Sequence, residues 1–288
     1  MTGKVLFFGL TTVDIFNYVS SFPASNEKVR AIDQLVSAGG PAANGAVSCS
    51  VAGNKCTLVS CLGRHPLAQL ALEDLQKYGV DVIDCLKDPD KLPVLSTITI
   101  DLGSGDRSVI YTNTDLCSIE INSTWNDLLK GVSLIMLDGY FMPQAIEIAM
   151  EAKRAKIKVV LDGGSWKVGA EKLLPYVQYA VCSADFYPPG CTDHDEVIQY
   201  LHDTGVEYVA ISRGSRPIIY SINGQTGTVA VARQEAVDTL GAGDILHGVF
   251  CACLVENDFV SSLRRASLIA TRSCRSRGTR RWIEDGFK

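Results

Sequence analysis

The segment Asp238-Thr239-Leu240-Gly241-Ala242-Gly243-Asp244 sets two glycines and a carboxylate at the mouth of a helix. Beyond it, Ile245, Val249 and Cys253, with Leu246, Phe250 and Leu254, recur at i, i+4 spacing, which predicts a helix from Ala242 to Val255. The N–H groups of Gly241, Ala242 and Gly243, reinforced by the helix dipole, would hold an anion such as a phosphate. Asp244 falls in the first turn. A carboxylate there can take the proton of a hydroxyl as that hydroxyl attacks phosphorus, general-base chemistry worth roughly 10²- to 10⁴-fold in rate. The same residues are common in loops before helices, where an Asp in the first turn simply complements the dipole.

A second glycine-rich turn, Gly39-Gly40-Pro41-Ala42-Ala43-Asn44, opens another amphipathic segment with Ala43, Val47 and Val51 on one stripe. Asn44 lies in its first turns, where an amide both donates and accepts. Upstream, Val5 to Gly9 reads as a short buried strand, and Asp14 follows just beyond that apolar run. Asp14 and Asn44 suit two or three hydroxyls of a polyol, with Gly39 and Gly40 permitting close approach of the main chain. Taken singly, Asn44 reads equally as a local cap and Asp14 as a strand end.

Together these residues resemble the ribokinase-like, or pfkB, family of carbohydrate kinases. The likeness runs from Gly9-Leu10-Thr11-Thr12-Val13-Asp14, through the double glycine and Asn44, to the motif at 238 to 244, and so spans nearly the whole chain. Within the family the pattern is most similar to ketohexokinases, in Gly9-Leu10 with Val13-Asp14, in Gly105-Asp106-Arg107-Ser108-Val109-Ile110, and in Val237 to Asp244. The resemblance implies one domain over residues 1–288, a three-layer α/β/α sandwich with a mainly parallel sheet and a small β lid.

Composition agrees. With 288 residues, 47% of them hydrophobic, the chain can bury a substantial core. A net charge of -5 argues against a general nucleic-acid binder. Arg272, Arg275, Arg277, Arg280 and Arg281 cluster late, where they are expected to solvate a helix end or lie near nucleotide phosphates. The ten cysteines show no paired framework. The first residues lack a secretory pattern, and no stretch is long enough to span a bilayer. A reduced, cytoplasmic protein with no membrane partner is expected.

Strand patterns at Thr57 to Leu62, Leu134 to Leu137, Val159 to Leu161, Tyr179 to Cys182 and Tyr208 to Ile211 alternate with helical ones. Those helices fall at Leu67 to Tyr78, Gln144 to Ala155 and Asp193 to Thr204, the rhythm of a parallel sheet covered on both faces. Two stretches break it, about 11–38 and 92–115. The second is a hairpin signal, with Leu95 to Leu102 and Arg107 to Thr112 flanking Gly103-Ser104-Gly105-Asp106. The resemblance implies that the two pair as a lid that excludes water from the site.

The resemblance further implies the chemistry: ATP as phosphoryl donor, a small sugar as acceptor, Asp244 as base, and Arg107 as a mobile positive charge from the lid. Ser212, Gly214, Asp238, Thr239 and Ser267 fall where the family borders its nucleotide, although Pro217 replaces a later family glycine. Asp138 follows a strand end, where it either reaches the sugar or is a solvated terminus. The family's Asn-x-x-Glu motif is absent. Cys182-Ser183-Ala184-Asp185-Phe186 stands there, so Mg²⁺ is expected on the ATP with few protein groups and no residue is named as a direct metal ligand. Activation by K⁺ beside Asp238 and Leu240, as in some relatives, is left open. His65, His194, His202 and His247 show no metal-ligand spacing and are assigned to surface or packing.

A ketohexose such as fructose is the first expectation for the acceptor. Pro41, standing where ketohexokinases carry a sugar-touching asparagine, leaves ribose, a sugar acid or a nucleoside as alternatives, and Phe16, Phe22 and Tyr111 would serve a nucleoside. A catalytically idle binding member is the rival from another class, favoured by the missing glutamate and opposed by the intact Asp244. A nicotinamide-dependent oxidoreductase would need GxGxxG after the first strand, where the chain has Gly9-Leu10-Thr11-Thr12. A lid with open strand edges favours a homodimer formed through it.

Overall fold

The computed structural model describes residues 3–88, 90–112, 118–121 and 123–286. In chain order the elements are β1 (Lys4–Phe8), β2 (Thr12–Val19), β3 (Asp33–Gly39), α1 (Pro41–Val51), β4 (Lys55–Ser60), α2 (Pro66–Lys77), β5 (Val80–Asp84), β6 (Leu95–Asp101), β7 (Arg107–Tyr111) and α3 (Trp125–Leu129). Then follow β8 (Val132–Leu137), α4 (Met142–Arg154), β9 (Lys158–Gly163), α5 (Ala170–Leu173), β10 (Tyr179–Ser183), α6 (His194–Asp203), β11 (Tyr208–Arg213), β12 (Arg216–Ile222), β13 (Gln225–Val229), α7 (Ala242–Leu254), α8 (Phe259–Ser273) and α9 (Arg281–Glu284).

Among the described residues the main sheet has nine strands in the order β13-β12-β11-β10-β9-β8-β1-β4-β5. Its strands from β11 to β5 pair in parallel, and the hairpin β12–β13 is antiparallel. β1 shows why such strands read as apolar runs: Val5, Leu6, Phe7 and Phe8 are all fully buried, two toward each face. One face packs on α1, α2, α7 and α8 through residues such as Phe7, Leu58 and Phe250. The other packs on α3, α4, α5 and α6 through Phe8, Ile135 and Ile148. This is the expected three-layer α/β/α sandwich, with strand ends shifted by a residue or two from the sequence pattern.

β1 lies between β8 and β4, and the chain order runs outward from it in opposite directions. That reversal opens a crevice beyond the carboxyl ends of the strands. The stretches near 11–38 and 92–115 supply a smaller sheet, ordered β3-β2-β6-β7, and residues 113–115 lie outside the described residues. β6 and β7 form the expected antiparallel hairpin, while β2 and β6 run parallel. Phe16, Tyr18, Ile98 and Ile100 form its core, with Leu240 from the glycine-rich segment packed against them. Asp14 is thus not a strand end: it lies inside β2.

The hairpin β12–β13 turns through Asn223 and Gly224, both at positive φ (47° and 86°), as a two-residue turn of this hand requires. A tighter constraint joins α1 to α7. A Cβ added at Gly248 would strike the Gly45 carbonyl oxygen, so the two helix backbones touch there. Four residues before Gly248 stands Asp244, and one before Gly45 stands Asn44. Gly248→Ala should therefore force the helices apart and lower stability by about 1–3 kcal/mol, seen as a fall in the thermal midpoint.

Candidate active site

Gly241 caps α7 in a left-handed conformation (φ 71°), which turns the chain so that the first turn of the helix faces the crevice. Helix geometry leaves the first N–H groups of α7 without intrahelical carbonyls. That of Ala242 bends back to the Thr239 carbonyl at 3.3 Å. Of the three N–H groups expected to hold an anion, that of Ala242 is thus turned toward the chain itself. Thr239, Ala242 and Gly243 line a pocket of about 300 Å³ together with Ser212, Gly214 and Ser267, which come from β11, the turn after it and α8. Ile218, Val231 and Leu246 give it apolar walls, with Ser215, Gln234 and Thr271 among the rest. This combination suits a flat heteroaromatic ring whose charged tail ends at the helix mouth.

A second pocket, of about 170 Å³, opens between the small sheet and the start of α1. Thr12, Asp14, Gly40 and Ser96 give it polar groups, and Tyr111 and Tyr140 give it aromatic walls. Burial drives the Asp14 carboxyl up to about 6, opposed by hydrogen bonds from Thr12 and Ser96 and by the charge of Arg280. Gly39 has no room for a side chain because any Cβ would strike the Asp14 carboxylate. Gly40 has φ 92° and meets the Leu10 carbonyl closely. The double glycine thus lets β3 turn into α1 beside Asp14.

Asp244 directly follows Gly243 of the larger pocket and is hydrogen-bonded to Asn44 of α1, whose cap Gly40 lines the smaller one. Asn44 Nδ2 donates to Asp244 Oδ2 at 2.7 Å. Asn44 Oδ1 in turn accepts from Arg280 Nη1 at 2.8 Å, which fixes the amide so that its NH₂ faces the carboxylate. Arg280 is itself held by Asp74 of α2 (Nε to Oδ2, 3.0 Å) and by the Ala38 carbonyl (2.9 Å). Burial and the negative charge of Asp162 push the Asp244 carboxyl up to about 7, with Asn44 and His247 pulling the other way. A carboxyl poised there is suited to exchanging a proton near neutral pH.

Other expected residues take different places. Asp138 is neither solvated nor open to a ligand: it is 1% exposed, and its carboxylate accepts the N–H groups of Leu10, Ala42 and Tyr140. It ties the ends of β1 and β8 to α1. Burial raises its carboxyl to about 6, against the charge of Lys167. Asp238 likewise accepts from Leu240 N, Tyr18 Oη and Gly278 N, so it staples its loop to the small sheet instead of lining the larger pocket. Arg107 reaches the glycine-rich segment, where Nη1 donates to Thr239 Oγ1 at 2.9 Å, and it is not among the residues lining the smaller pocket. Phe16 is buried inside the small sheet and does not face that pocket.

Sequence reasoning missed four contributors. Arg280 belongs to the late arginine cluster expected to solvate a helix end or lie near nucleotide phosphates, and nothing in the sequence pairs it with Asn44. Tyr140 and Ser96 carry no local signal. Asp162, near the end of β9 and 4% exposed, follows an apolar run just as Asp138 does, and that signal was there to be read. Asp185 is exposed, with its N–H bonded to Ser183 Oγ. Among the described residues no group of three or more His, Cys, Asp or Glu gathers as a metal cage. No helix among them is long and apolar enough to cross a membrane.

Arg280→Met tests the buttress. It should free the Asn44 amide and leave Asp74 without its partner, with a loss of about 3 kcal/mol that a thermal melt would register. Arg280→Lys cannot reproduce the fork and should recover only part of that loss.

Comparison with known proteins now bears on this geometry. Residues 2–285 match the profile of the pfkB family carbohydrate kinases. The deoxyribokinase of Salmonella typhi is 25% identical over 289 residues, covering 94% of this chain and 92% of that one. The ketohexokinase of Mus musculus is 22% identical, covering 96% of this chain and 97% of that one. Among solved structures, Arabidopsis thaliana ribokinase complexed with ribose and ATP superposes with a TM-score of 0.78 at 20% identity, over 96% of this chain and 94% of that one. A family profile spanning nearly every residue, matched by the ribokinase-like fold, decides the assignment: the chain belongs to the pfkB family of carbohydrate kinases and is a sugar kinase.

Proposed function

We propose that the protein transfers the γ-phosphoryl group of ATP to a primary hydroxyl of a small neutral sugar, a ketohexose such as fructose or a pentose such as ribose. One observation carries the reading. Asp244 follows Gly243, which lines a mainly apolar pocket at a helix mouth, and accepts a hydrogen bond from Asn44 near the start of α1, while the small pocket beside that start holds one carboxylate, Asp14, and no cation in its described lining. A sugar acid would want a cation there. For a nucleoside, Tyr111 and Tyr140 offer a face, but at about 170 Å³ the pocket favours a sugar without a base.

In this reading ATP lies in the larger pocket with its adenine against Ile218, Val231 and Leu246, and its phosphates run to Gly243. Asp14 and Asn44 accept and donate to the sugar hydroxyls. Asp244 takes the proton of the attacking hydroxyl, and the positive end of α7 steadies charge on the phosphoryl oxygens. Mg²⁺ arrives on the nucleotide and keeps most of its waters, in line with the sparse acidic surroundings of the larger pocket. Arg107 joins the small sheet to the phosphate end through Thr239, so that the sheet works as a lid. The outer face of this sheet exposes Val36 (50%) and Ile110 (74%), which suits pairing with a second copy.

ADP release from Mg-ATP, measured against a no-sugar blank over fructose, ribose, deoxyribose, sugar acids and nucleosides, tests the substrate. A neutral sugar should respond strongly, and a response confined to acids or nucleosides would overturn the assignment. Asp244→Asn should cut turnover by about 10²- to 10⁴-fold while the thermal midpoint holds or rises, since a carboxylate strained by burial is removed. With a carboxyl near 7 that must be ionised to act, kcat/KM in the unmodified enzyme should fall as pH drops below about 7. Asn44→Ala should raise the KM for sugar, and an unchanged KM would count against its role.

A further inference from the structure

His247 stands three residues after Asp244 on α7, is 4% exposed and lines neither of the two pockets. Its Nδ1 lies 2.7 Å from the Gly243 carbonyl oxygen and its Nε2 lies 2.8 Å from the Val181 carbonyl oxygen. Carbonyl oxygens only accept, so both contacts are hydrogen bonds only when both ring nitrogens carry protons. Either neutral tautomer would aim a nitrogen lone pair at a carbonyl in the protein interior. Beside the ring is Asp162 Oδ2, 3.3 Å from Nδ1. This oxygen is buried and has no hydrogen-bond partner among the described residues. The Nδ1 proton points at Gly243, so the ring meets Asp162 as one charge meeting another.

We propose that His247 is a positioning residue held as a buried imidazolium, which offsets Asp162 behind the catalytic base and fixes the Gly243 carbonyl at the anion cradle. The proposal rests on the reading of Asp244 as the base. Its logic is electrostatic. Asp162 raises the Asp244 carboxyl and His247 lowers it, so the pair keeps the base within reach of neutral pH. Without the imidazolium, the unpaired charge of Asp162 would press Asp244 to hold its proton.

The groups facing this pair come from five elements or their ends, with the Tyr140 phenol, raised by burial and by Asp138 and Asp162, beside them. β9 brings Asp162, and α7 brings Asp244 and the Cys251 thiol, which burial holds neutral. From β10 comes the Cys182 thiol, raised by burial and by Asp162. Asp138, after β8, feels the charge of Asp162. α1 contributes only the Asn44 amide, which bonds Asp244. His247 thus answers Asp162 inside the fold, while Arg280 answers Asp14 and Asn44.

Two measurements test it. Nitrogen NMR of the unmodified protein labelled at histidine should show both ring nitrogens of His247 protonated at pH 7.5, and a single neutral tautomer would overturn the proposal. The acid limb of kcat/KM for the responding sugar should move up by about one pH unit in His247→Gln and down in Asp162→Asn. In the double variant it should return close to its original place. A purely packing histidine would lower the rate and leave the limb where it was, which would sink the idea. Should His247→Gln not fold, the Asp162→Asn shift and the ring protonation decide the matter. If Asp244→Asn keeps its turnover, the base assignment fails, yet the ring protonation still stands or falls on its own.

Discussion

Four carboxylates, Asp14, Asp138, Asp162 and Asp244, are taken largely out of water, and the cost of holding their charges there is the constraint on which the rest of the structure depends. Burial raises three of them toward neutrality, and each feels at least one of the others. Such a group of charges opposes folding unless each finds a fixed partner. The fold gives each a different one. Main-chain N–H groups answer Asp138, the Thr12 hydroxyl and Arg280 answer Asp14, the Asn44 amide answers Asp244, and His247 lies beside Asp162.

Those partners are effective because they stand on elements that cannot drift. β1 and β8 lie side by side at the reversal of the sheet, which fixes Leu10 against Asp138. α1 and α7 touch at Gly45 and Gly248, and this contact sets the distance between the first turns that carry Asn44 and Asp244. The separation of those two first turns is therefore set by the helix backbones themselves. Stability and chemistry draw on the same contacts here, since the groups that hold the charges apart also aim them.

Much of this could be read from the chain, for identifiable reasons. The glycine-rich segment and Asp244 announce themselves because a helix start is a local event written in adjacent residues. The parallel strands show as apolar runs because both their faces are covered. The hairpin β6–β7 carried its own turn signal, and so did Asn223-Gly224, which went unread. Asp14 was placed at a strand end because its strand belongs to a second sheet that no local pattern separates from the first. Arg280 was illegible: its bond to Asn44 spans 236 positions, and only the folded chain brings them together. Asp238 misled for the opposite reason, since its motif is recognisable but its oxygens serve Tyr18, Leu240 and Gly278.

The same separations in sequence govern when competence appears during synthesis. The Asn44–Asp244 bond closes 200 positions, Tyr18–Asp238 closes 220 and Arg280–Asn44 closes 236. Contacts of that span form late, after the local helices and hairpins have already condensed. A growing chain can thus lay down much of the sheet while the Asn44 amide still lacks both of its distant partners. Arg280 joins only once 236 further positions have followed Asn44, so a half-made polypeptide carries neither the Asn44–Asp244 bond nor the arginine that holds it.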